Sequence, residues 1–120
     1  MNTLFLVALI VEGILGIGFL FLPATIMGLA GVTLDPIATF LGKMFGTAIL
    51  TFSFILWFAR KSDNQYFRKG MVFSMVAYNA IILIVLVSIQ LSGIVNAMQW
   101  GTVGLHLILL VWFGYYLVKK

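Results

Sequence analysis

The chain has 120 residues, enough for one domain, with 63% hydrophobic and only 8% charged residues and a net charge of +4. Soluble domains carry about 25% charged residues, and a domain of this size cannot hide so much apolar surface in its interior. The composition therefore excludes an ordinary soluble protein and predicts an all-α integral membrane protein, with lipid as its solvent. The absence of cysteine excludes disulfides, iron–sulfur clusters and thiolate zinc sites.

A membrane crossing needs roughly 20 apolar residues. The first run, residues 2–22, exceeds the hydrophobic region of a signal peptide and is expected to be a retained span. Pro23 ends or kinks it, and residues 24–34 suit a short interfacial helix. A second span is expected over 36–59, with Asp35 as N-cap and Pro36 as first helical residue. The polar turn "RKSDNQ" leads to a third over 67–91. Gly93 then provides a tight turn and Asn96 an N-cap for a fourth over 97–118. The expectation is one domain over 1–120, an antiparallel four-helix transmembrane bundle.

Charge sets the orientation. All cations except Lys43 lie at Arg60/Lys61, Arg68/Lys69 and Lys119/Lys120, which fall on one side of a four-span chain. The opposite loops hold only Asp35. The positive-inside bias predicts cytoplasmic termini. The cations flank apolar runs and form no basic face, so no nucleic-acid partner is expected. The bilayer itself is the expected partner.

An ionised side chain at mid-helix costs about 2.5–3.5 kcal/mol to insert, so such groups tend to turn inward and mark function. Each span offers one: Glu12, Lys43, Asn79 and His106. Glu12, Asn79 and His106 fall near the bilayer midplane, and Lys43 about 7 Å outward. The four are expected to form a polar cluster, a candidate ligand or proton site. Secondary polar positions are Thr47 and Thr51 on the stripe of Lys43, Gln90 on the face of Asn79, and Thr102 one turn before His106. Gly16, Ala38, Gly42 and Gly46 give the small-residue spacing that lets helices approach closely. Plainer roles exist for each polar group: a protonated carboxyl or a Glu12–Lys43 pair, a snorkelling lysine, interhelical bonds from Asn79 and Gln90, and a packed His106. One histidine and three acids cannot build a metal site in one chain, and no cofactor motif appears.

Two resemblances accompany these residues. "LIVEGILG" around Glu12 resembles the first helix of small multidrug resistance transporters. "GFLFLP", "GVTLDPIATFLGKMFGTAILTFSFILW" and "LSGIVNAMQW", roughly half the chain, look like small bacterial four-helix proteins of the DoxX-like kind. The second resemblance implies a bacterial inner-membrane protein, an accessory subunit of a redox or stress-response complex, and no catalytic residues. Where that family tends to carry an acid in its second helix, this chain has Lys43.

The leading functional expectation is a non-enzymatic accessory or scaffold subunit, a homo-oligomer or part of a larger complex. The alternative is a proton-coupled small-molecule transporter or ligand binder, with Glu12 as proton site, Lys43 as its charge modulator and His106 as relay. A third reading is an intramembrane lipid or quinone enzyme with His106 and Glu12 as acid and base.

Overall fold

The computed structural model describes residues 1–119. It is a helical bundle of α1 (Asn2–Phe21), α2 (Pro23–Leu29), α3 (Pro36–Lys61), α4 (Gln65–Leu91) and α5 (Gln99–Val118), with no strand among the described residues. Four helices, all but α2, are long and apolar enough to cross a membrane. The long axis of 45 Å is close to the ~40–45 Å of a bilayer with its headgroups. Ile14, Phe40, Ile84 and Val111, one on each long helix, are 62–70% exposed. An outer surface this greasy is suited to acyl chains.

Local chemistry explains the boundaries. Asp35 Oδ1 accepts from the Ala38 amide at 2.7 Å, capping α3 as expected. Asn64 caps α4 by accepting from the Phe67 amide at 3.1 Å. Pro23 is the first residue of α2, where its missing N–H costs nothing; the break falls at Leu22, which leaves helical geometry with φ −132°. The short helix is therefore shifted from the expected 24–34 and ends at Leu29. After it the chain turns through Gly31, whose φ of +81° disfavours any side chain. Asn96 is not the N-cap of α5, which is Met98. Its side chain instead accepts from the Met98 amide at 2.9 Å and donates to the Leu29 carbonyl at 2.9 Å. Its own amide donates to the Ala30 carbonyl at 2.8 Å. These bonds clasp the loop before α3 to the loop before α5.

The long helices form two pairs, α1 with α3 and α4 with α5. In the first pair the backbones nearly touch. A Cβ on Gly16 would lie 2.7 Å from the Leu50 amide nitrogen, and one on Gly46 would meet the Phe19 carbonyl carbon at 2.7 Å and Gly16 O at 2.8 Å. Gly42 packs against the Pro23 side chain. The small-residue stripe thus joins α3 to α1 and α2 within one chain. At the end where the chain starts, the two pairs close on a core that includes Phe5, Leu56, Met75, Leu109 and Phe113. There the Arg68 guanidinium donates to the Ser62 carbonyl and to Asn2 Oδ1, tying α4 to the start of α1.

Candidate functional site: a polar layer beneath an apolar crevice

Four polar side chains are buried, one from each long helix: Glu12, Ser53, Asn79 and His106. Their positions along the helices define a layer. On the core side, roughly one turn away, lie Ala8, Leu56, Met75 and Leu109, all essentially inaccessible. On the other side, at a similar distance, lie Leu15, Ile49, Ile82 and Thr102, which line a cavity of about 610 Å³. The layer is the floor at which a tightly packed half gives way to an open one.

Asn79 and His106 are bonded directly, His106 Nδ1 to Asn79 Oδ1 at 2.9 Å. The direction of the proton follows from the other end of the amide. Asn79 Nδ2 donates to the Met75 carbonyl at 2.7 Å, so the atom facing the ring is the acceptor oxygen. Nδ1 must then carry the hydrogen, and in the neutral imidazole Nε2 is left as an acceptor. The ring meets Tyr78 edge-on, with centroids 5.8 Å apart, and Tyr78 stacks on Phe52 of α3 at 5.6 Å. Aromatic contact thus runs from α3 through α4 to α5 beside the polar layer.

Across the layer, Ser53 Oγ donates to the Leu9 carbonyl of α1 at 3.2 Å. Glu12 is 1% exposed, and its Oε1 is buried without a hydrogen-bond partner. Leaving a polar atom so placed is costly, so Glu12 is the least satisfied member of the layer.

Of the expected cluster, the structure bonds Asn79 to His106, buries Glu12 and leaves Lys43 exposed. Lys43 is exposed on the outer face of α3, so the expected Glu12–Lys43 pairing does not form. The reason is helical phase. Gly42 and Gly46 occupy the inward face against α1 and α2, and Lys43 is rotated away from Gly46 by about 60° at ~100° per residue. Its flexible stem can carry the ammonium towards the headgroups. Thr47 and Thr51 share this exposed stripe and return their hydroxyls to the Lys43 and Thr47 carbonyls at 3.0 and 2.9 Å. Thr102 does not bond to His106; its hydroxyl lies 3.5 Å from Gln99 Oε1. Gln90 is half-buried with Oε1 unpartnered, away from the crevice lining. Ala38 lines the crevice beside Gly42.

Ser53, Tyr78 and Gln99 were not anticipated. Ser53 had a usable signal, since it stands seven residues after Gly46 and so returns to the same inward stripe. Among the described residues no group of three His, Asp or Glu could hold a metal ion.

The crevice opens sideways. Its lining includes Leu41 and Phe45 of α3 and Val85 and Ile89 of α4, which are all exposed and form its rim. The Asn96 clasp crosses its far end, where Ala30 and Val95 are buried. One wall, from α3, is wholly apolar; the α5 wall carries Gln99, Thr102 and His106.

The molecule is thus a helical bundle with four candidate membrane-spanning helices and a buried polar layer under an apolar crevice. Residues 6–120 match the family described as a domain of unknown function, DUF8292, and the chain belongs to that family. No curated protein matches the chain. No solved structure matches it either.

Proposed function

We propose that the chain is a multi-pass membrane protein that binds a lipid-soluble small molecule in the crevice between its two helix pairs. The observation carrying this reading is the cavity of about 610 Å³, inside the roughly 300–1,000 Å³ span of small-molecule sites and, like them, mostly apolar with few polar groups. The basic residues Arg60, Lys61, Arg68 and Lys69 gather at the end where α3 passes into α4. That end faces the cytoplasm by the positive-inside bias, and the crevice lies in the outer half of the bilayer.

The reading favours binding: His106 is bonded through Nδ1 to Asn79 and Glu12 Oε1 has no hydrogen-bond partner, so among the described residues no hydrogen bond joins the two. The separation of exposed Lys43 from buried Glu12 also removes the charge pair on which a proton-coupled cycle would draw. Gly42 and Gly46 pack against α1 and α2 of the same chain, which lends no support to a scaffold role built on that face.

The test is native mass spectrometry of gently purified protein, with Leu86→Trp as a variant that fills the crevice. A small lipid-soluble molecule should leave with the wild-type chain and be lost in the variant. Only bulk phospholipid, retained equally by both, would reject the reading.

A further inference from the structure

The crevice has a chemical preference, and it lies in one atom. His106 is 4% exposed yet contributes to the crevice lining. Its Nδ1 is engaged by Asn79 at 2.9 Å, and the Asn79 amide is itself held by the Met75 carbonyl at 2.7 Å. The ring therefore cannot turn over without breaking its bond to Asn79, and the amide cannot flip to follow it without giving up the Met75 carbonyl. The nitrogen left over on this lining residue is Nε2, an acceptor for which no hydrogen bond is found among the described residues. The part of the lining that α3 supplies is apolar, including Gly42, Phe45 and Ile49. An apolar molecule would leave this acceptor unsatisfied, as would any molecule whose polar atoms only accept.

We propose that the occupant is a neutral, lipid-soluble hydroxyl compound, an alcohol or phenol, whose O–H donates to His106 Nε2. This deepens the binding reading and rests on it. Neutrality follows from the surroundings. No side chain lining the crevice is charged, Glu12 being buried in the layer beneath it, and a cation or anion would meet the cost of a low-dielectric site. The hydroxyl is carried to this depth by an apolar body that enters past the exposed rim, where Phe45 and Val85 stand on opposite helix pairs. Such a molecule arrives dissolved in the hydrocarbon and needs no aqueous route. Thr102 and Gln99 lie one and two turns above on the same α5 wall, about 6–10 Å from the His106 level, and can meet a second polar group nearer the headgroups.

The experiment uses the full chain in phosphatidylcholine nanodiscs with three probes: a long-chain para-alkylphenol, its methyl ether and the parent alkylbenzene. Binding is read by fluorescence of the phenyl ring and, independently, by the ¹⁵N resonance of His106 Nε2. The phenol should bind about five- to tenfold more tightly than the ether, the worth of one hydrogen bond. It alone should move the Nε2 resonance in the direction of an accepted hydrogen bond. His106→Phe should reduce phenol affinity to that of the ether. Equal binding of all three probes with a stationary Nε2 resonance would overturn the hydroxyl assignment while leaving the crevice intact. Binding by none of them would overturn the crevice reading itself. The resonance is measured on the unsubstituted protein, so the outcome does not depend on whether the variant folds.

Discussion

The two helix pairs are held together by different means. α1 and α3 meet backbone to backbone, and a single added carbon at Gly16 or Gly46 would collide with main-chain atoms across the contact. α4 and α5 carry four glycines of their own, Gly70, Gly101, Gly104 and Gly114, and none has a neighbouring atom within 4 Å of a built Cβ. That pair is joined through side chains, among them the Asn79–His106 hydrogen bond. In the lipid setting proposed for it, where apolar burial no longer drives association, close backbone approach and interhelical hydrogen bonds are the two means left. Each pair relies mainly on one of them. The consequence is functional: the glycine-joined pair offers a smooth apolar wall, and the hydrogen-bonded pair brings the polar groups to the crevice.

Identical substitutions should therefore have opposite consequences in the two pairs. Gly46→Ala forces α1 and α3 apart against backbone. It is expected to cost about 2–3 kcal/mol, the range for overpacking a close contact, seen as a large fall in the thermal midpoint in detergent micelles. Asn79→Ala removes the bond to His106 and leaves the ring's N–H buried without an acceptor. It is expected to cost about 1–2 kcal/mol, with loss of the downfield Nδ1 proton signal in the NMR spectrum. Asn96→Ala removes the two side-chain bonds of the clasp and keeps its backbone bond to Ala30, at about 1 kcal/mol, and should raise amide exchange in residues 29–31 and 94–98 without altering the core. Gly104→Ala meets open space and removes a poor helix former. It should be neutral or stabilising by up to about 1 kcal/mol. If Gly46→Ala and Gly104→Ala behaved alike, the contrast between the pairs would be lost.

Much of the scaffold could be read locally. The hydropathic runs located the four long helices, and Asp35 with Pro36 marked the start of α3 because capping chemistry sits within four residues of the boundary. The polar layer was legible in depth and illegible in angle. Glu12, Asn79 and His106 were placed by their distance from the span ends. Lys43 was included for its charge, although the neighbouring Gly42 and Gly46 already claimed the inward face. Ser53, with no charge to draw notice, stands in the layer in its place. The crevice had no local signature at all. It exists because α1 chose α3 and α4 chose α5, and neighbour choice depends on contacts between residues far apart in the chain.

The proposed site requires the polar layer to be a boundary, with packed side chains on one side and a space open to the proposed bilayer on the other. Paramagnetic relaxation by dissolved oxygen, which concentrates in hydrocarbon, tests this on the unmutated protein through its side-chain methyl groups. The methyls of Ile49 and Ile82, above the layer, should relax strongly, and those of Leu56 and Met75, below it, should be spared. Uniform protection of all four would mean that the helix pairs stay closed along their whole length and that there is no crevice to fill.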